Sequence, residues 1–187
     1  MAKKPGTRAQ EILQALARML EKSGGGRITT AALAAELGVS EAALYRHFPS
    51  KTRMYEGLID FIEDTVFARV RGIISDEPNA VHQCYRILSL VLAFSEKNPG
   101  ITRILNGDAL TGETDRLHDR IAQFFDRLES QLKQILREAE IRDGLKLQVP
   151  VATAANLMLC STDGKISQFV RSQFKTPPTK DWQEQWQ

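Results

Sequence analysis

Apolar residues recur at three- and four-residue spacing through most of this 187-residue chain, and no stretch alternates as a half-buried strand does. The pattern predicts an all-α protein. Ile12, Leu13, Leu16, Ala17 and Leu20 define a helix over about residues 7–22, closed by Gly24-Gly25-Gly26. Residues 28–54, ITTAALAAELGVSEAALYRHFPSKTRM, hold two short helical patterns split by Gly38. A fourth helix starts at Pro49-Ser50, carries the stripe Met54, Leu58, Phe61, Ile62, Val66, Val70 and Ile73, and stops at Asp76-Glu77-Pro78. A fifth runs over about 79–97 through Val81, Leu88, Val91 and Leu92, and Asn98-Pro99-Gly100 separates it from a short ITRILN segment. Leu117, Ile121, Phe124, Leu128, Leu132, Ile135 and Ala139 mark a long helix over 115–142, bounded by Gly112 and Gly144. In the last long pattern, about 150–171, apolar residues spread around most of the circumference, as in a helix buried on more than one side. Trp182 and Trp186 lie in a tail that either docks on the body or hangs free.

The 28–54 stretch carries the strongest functional signal. Thr29 or Thr30 can cap its first helix, because a threonine hydroxyl accepts the free N–H groups of a first turn, and Ala31, Leu33, Ala34 and Leu37 supply the packing face. Ser40 caps the second helix, with Glu41 placed well near its positive end. Ala43, Leu44 and Phe48 turn inward, which leaves Ala42, Tyr45, Arg46 and His47 facing elsewhere. Two bundle helices joined by a capped turn would give the same periodicity. That reading leaves unexplained the run Tyr45-Arg46-His47-Phe48-Pro49-Ser50-Lys51, whose aromatic and basic groups have no core to join; a helix-turn-helix accounts for it.

With the Gly-Val-Ser turn, Leu44, Tyr45, Phe48 and Lys51 in register, the first third of the chain resembles the TetR family of bacterial DNA-binding proteins. The resemblance implies an N-terminal three-helix head, residues 1–53, and a helical regulatory and dimerisation body, residues 54–187, paired through the 115–142 and 150–171 helices. It implies phosphate contacts from Tyr45, His47 and Lys51. Thr29, Thr30 and Ser40 add hydroxyl donors at helix starts. Glu41, Ala42, Ala43 and Arg46 are the candidates for base edges: Arg suits guanine, Glu the cytosine amino group, and Ala the thymine methyl. Lys3, Lys4 and Arg8 can trail along the duplex. A two-fold dimer would read palindromic double-stranded DNA, with one or more dimers per site.

Charge agrees with this division. Residues 1–53 hold nine Lys or Arg against four acids, +5, whereas the remainder holds sixteen against nineteen, −3, within a net +2. No stretch approaches a membrane span and the start MAKKPGTRAQ has no apolar leader, so a soluble, cytoplasmic protein is expected, and the resemblance to DNA-binding proteins implies association with the nucleoid. Cys84 and Cys160 stand 76 positions apart, without metal-ligand spacing, and read as buried free thiols; His82-x-Cys84 is weak as a metal motif. Asp60, Glu63 and Asp64 are the only carboxylates arranged like a metal or acid–base pair, and a solvated acidic face is the simpler reading. Neither a nucleophile elbow nor a phosphate loop is present, so no catalytic residue, metal or cofactor is expected.

Most members of the family are repressors released by a small ligand, which makes that the default function. The runs RITTAALAAELGVSEAALYRHFPSKTRMYEGLIDFIED, KNPGITRILNGDAL and QFVRSQFK instead resemble a branch that uses DNA binding to control cell division. That resemblance implies that DNA-bound dimers bind the C-terminal tail of the division GTPase FtsZ and disrupt its polymers. The implied surface is Phe61, Arg69, Leu90, Lys97 and Asn98, with Ala93 where the branch has Gly; apolar Phe61 and Leu90 would anchor an amphipathic peptide and Arg69 and Lys97 its acidic groups. The competing role for Phe61 and Leu90 is inter-helix core.

Overall fold

The computed structural model describes residues 6–186, and among them every regular element is helical. In chain order these are α1 (Thr7–Lys22), α2 (Thr30–Glu36), α3 (Glu41–Tyr45), α4 (Lys51–Asp76), α5 (Ala80–Lys97), α6 (Pro99–Asn106), a 3-10 turn (Asp108–Leu110), α7 (Asp115–Arg142), α8 (Val151–Arg171) and α9 (Trp182–Gln185). Lys3 and Lys4 lie outside the described residues. The chain forms two compact units, Met1–Glu63 with Asn98–Ile121, and Asp64–Lys97 with Ala122–Gln187.

In the first unit α1 buries Ile12, Leu13, Ala15, Leu16 and Leu20, and α6 packs against it. The approach is backbone to backbone: a Cβ on Gly100 would lie 1.9 Å from the Ala17 carbonyl oxygen and 2.9 Å from the Glu21 nitrogen. Gly100 reads in sequence as loop punctuation, but it is the residue that lets α6 touch α1. α6 buries residues 100–105, including Arg103, 1% exposed and ion-paired with Asp108 at 2.6 Å. Two apolar expectations fail in this unit. Ala31 is exposed, because the seven-residue α2 needs only the narrow face of Leu33 and Ala34. Phe61 is 46% exposed although its stripe neighbours Leu58 and Ile62 are buried, so the apolar stripe of α4 is wider than the face it buries.

In the second unit Phe67 meets Phe124 edge to face, and the Arg127 guanidinium lies 3.8 Å from the Phe67 ring centre. α5 packs on α8. Cys84 is buried in α5, and burial pushes its thiol up to about 12. Val81, expected in the core, is 39% exposed beside the helix start. α8 buries Val151, Ala155, Leu159, Thr162, Ile166, Phe169 and Val170, while Ala152, Leu157 and Cys160 are exposed. Cys160 is thus not the buried thiol expected; it lies on the side of α8 that a single chain leaves open. The tail docks: buried Trp182 donates through Nε1 to Ser89 Oγ at 2.9 Å and stacks on Tyr85, and Thr179 donates to the Glu96 carboxylate.

Candidate nucleic-acid interface

Local chemistry builds the α2–turn–α3 unit. Thr29 Oγ1 accepts the Ala32 N–H at 3.1 Å and Ser40 Oγ accepts the Ala43 N–H at 3.3 Å, so each helix has its own hydroxyl cap. Between them Gly38 takes φ +64, and the Gly38 and Val39 N–H groups close onto the Ala35 and Ala34 carbonyls. This is the Schellman ending, and it requires a left-handed residue where the glycine stands. Leu44, fully buried, is the only buried residue of α3.

The residues expected to meet DNA are mostly outside the core. Glu41, Ala42, Tyr45, Arg46 and His47 are exposed, and Ala43 is half-buried. One expectation changes. α3 spans five residues, so Arg46 is its C-cap and His47 sits in the closing turn, where the His47 and Phe48 N–H groups both bond to the Leu44 carbonyl. Thr30 Oγ1 donates to Glu41 Oε2 at 2.5 Å and accepts from the Tyr45 hydroxyl at 3.4 Å. This ties the start of α2 to both ends of α3 and engages Glu41 with a protein hydroxyl. Thr29 and Ser40 accept with their oxygens, which leaves each O–H able to donate.

Lys51 opens α4 but points at protein. Its Nζ lies 2.5 Å from Glu113 Oε1 and 5.4 Å from the centre of the Tyr55 ring. Further ion pairs link the same two segments: Glu56, which also meets Arg53 within α4 at 2.7 Å, pairs with Arg116 at 2.9 Å, and Arg120 meets Asp60 at 2.9 Å and Glu63 at 2.8 Å. Burial opposes the charge of Arg120, but its bonds to Glu63 and Asp60 outweigh that and raise its pKa. Asp60 and Glu63 are therefore neutralised by an arginine from α7, which replaces the solvated acidic face expected for them. Sequence reasoning missed Glu113, Arg116 and Arg120, because nothing local ties them to α4.

Of the residues expected to bind a partner peptide, Leu90, Ala93 and Lys97 share one side of α5 at i, i+3 and i+7, the first two half-buried and Lys97 exposed. Arg69 is exposed in the same unit; Phe61, exposed, and Asn98, half-buried, belong to the other. A hollow of about 510 Å³ near the chain end is lined by Thr179, Asp181, Trp182, Gln183 and Glu184, a mostly polar set. No described helix is long and apolar enough to cross a membrane.

Comparison with known proteins extends along the whole chain. Residues 12–58 match the family described as bacterial regulatory proteins, tetR family, and residues 79–187 match the SlmA-like tetracyclin repressor-like C-terminal domain. A nucleoid occlusion factor SlmA from Alteromonas mediterranea is 61% identical over 98% of this chain and 94% of its own length. Another, from Idiomarina loihiensis, is 58% identical over 100% of this chain and 95% of its own. Among solved structures, the fatty acid degradation regulator FadR from Bacillus halodurans superposes with a TM-score of 0.83 at 14% identity, covering 98% of this chain and 95% of that one. The TetR-family regulator PfmR from Thermus thermophilus gives 0.76 at 21% identity, with 94% of each chain covered. At those identities the two regulators share the fold alone.

Proposed function

The chain belongs to the TetR family and groups with the SlmA nucleoid occlusion factors, and from that premise we infer that it binds DNA through α2 and α3 and acts as a nucleoid occlusion factor. The observation that carries this reading is identity of 61% sustained over 98% of the chain, so that it includes the body as well as the DNA head.

The proposal assigns DNA binding to residues 1–53 and dimerisation and regulation to residues 54–187. Arg46 reads a base edge from the end of α3 beside the methyls of Ala42 and Ala43, and Tyr45, His47, Lys51 and the free O–H groups of Thr29 and Ser40 hold phosphates. Thr30 and Glu41 join them once their mutual bond opens. Two chains pair through α7 and the open side of α8, and the dimer reads a palindrome. On the DNA, Phe61, Arg69, Leu90, Ala93, Lys97 and Asn98 take the C-terminal tail of FtsZ. The exposure of Phe61, Arg69 and Lys97 supports this, since an anchor ring and two cations in solvent suit an acidic amphipathic peptide. The protein works in the cytoplasm on the nucleoid.

Co-sedimentation of FtsZ polymers with this protein, with and without a palindromic duplex that it binds, tests the proposal. The expected result is loss of pelleted FtsZ that depends on the duplex. A folded dimer that binds the duplex yet leaves FtsZ pelleting unchanged would overturn the division role and leave a DNA-binding repressor.

A further inference from the structure

The Lys51–Glu113 pair stands apart from the other ion pairs between α4 and the start of α7. Arg116 and Arg120 serve carboxylates that lie further along α4, whereas Lys51 is the residue proposed to hold DNA phosphate. Its side chain is only 18% exposed and that of Glu113 only 7%. A phosphate brought to the same ammonium would meet the Glu113 carboxylate within a few ångströms, and two anions cannot both hold one largely buried lysine without strong repulsion.

We propose that Glu113 competes with DNA phosphate for Lys51, so that it sets the affinity of the head for any duplex and is released when the duplex binds. The inference rests on Lys51 as a phosphate contact. Glu113 is well placed for release. It lies in the turn between the 3-10 segment and α7, next to Gly112 at φ +76, with its own N–H bonded to the Leu110 carbonyl at 2.9 Å, so its side chain can swing away without breaking that backbone bond. A released carboxylate would also take up a cation from solution, offsetting part of the counterion release that drives DNA binding.

The test is duplex binding by fluorescence anisotropy across a salt series for the parent, Glu113→Gln, Lys51→Ala and the double variant, each first checked for unchanged melting temperature. Glu113→Gln keeps the shape and removes the charge. It should bind specific and unrelated duplexes about threefold to tenfold tighter, at or somewhat above the scale of a surface ion pair because this one is mostly shielded from solvent, with a salt slope steeper by up to about 0.9. The double variant should gain nothing over Lys51→Ala. Glu113→Asp, which keeps the charge but withdraws it by one methylene, should fall between parent and Glu113→Gln, and it serves if Glu113→Gln folds poorly. If Lys51→Ala weakens binding while Glu113→Gln binds no tighter than the parent, the competition is refuted and Lys51 keeps its role. If Lys51→Ala leaves affinity unchanged, Lys51 is not a DNA contact and the competition falls with it.

Discussion

α3 and α6 are short helices of the same unit, five and eight residues long, and they are built by opposite rules. α3 buries Leu44 alone and is held by a hydroxyl cap, so Glu41, Ala42 and Tyr45 stay exposed, with Glu41 and Tyr45 bonded to Thr30. α6 buries six of its eight residues and, at Gly100, gives up a side chain altogether so that its backbone can touch α1. The proposed recognition surface thus lies where packing asks for little, and α6, packed on α1, exposes almost no chemistry of its own.

The comparison is broken most severely at Gly100. In Gly100→Ala the added methyl would meet the Ala17 carbonyl, a backbone atom that cannot swing aside, so α1 and α6 must separate. Denaturant unfolding should show a loss of about 3 kcal/mol or more. Gly72→Ala is the control: its Cβ would meet nothing within 4 Å near the C-terminal end of α4, and it should gain about 0.5–1 kcal/mol. Equal effects at the two sites would mean that the α1–α6 contact is not what Gly100 protects.

At the α3 end the losses should fall on binding and spare stability. Arg46→Ala should cost roughly 1–3 kcal/mol at one position of the DNA site, with non-specific binding kept, whereas Lys51→Ala should weaken all duplexes alike and lower the salt slope by about 0.9. Competition binding against single-base variants of the site separates the two; reversed effects would exchange the roles.

How far each region could be read in advance follows the same division. The caps at Thr29 and Ser40, the turn at Gly38 and the anchor Leu44 are local, and the residues themselves name their jobs. The α7 stripe from Leu117 to Ala139 is buried at every position its period marked, because a helix of 28 residues repeats its signal many times. Gly100 looks like loop punctuation because its partner is a carbonyl far away in sequence. The pairing of Lys51 with Glu113 spans 62 positions and leaves no local trace. Phe61, placed in the α4 stripe as well as on the partner surface, and Cys160 are exposed for another reason: periodicity marks an apolar face but not how much of it one chain covers.

A gentler probe uses the two thiols. Cys84, buried with its thiol pushed up to about 12, should stay unmodified by a thiol reagent in the native protein at neutral pH, while exposed Cys160 reacts. If the open side of α8 is the dimer contact, the Cys160 rate should fall as protein concentration rises through dimer formation. A rate independent of concentration would move the contact off that side of α8.

The central claim is that the chain uses one surface for DNA and another for FtsZ, and Arg69→Asp tests it most directly. Arg69 is exposed on α4, eighteen residues beyond Lys51 and so roughly 27 Å along the helix at 1.5 Å rise per residue. Duplex affinity and FtsZ co-sedimentation should be measured on the same preparation of this variant, with its melting temperature unchanged. The account predicts near-parental duplex binding together with loss of duplex-dependent FtsZ disruption. A variant that binds the duplex and still disrupts FtsZ polymers like the parent would contradict it.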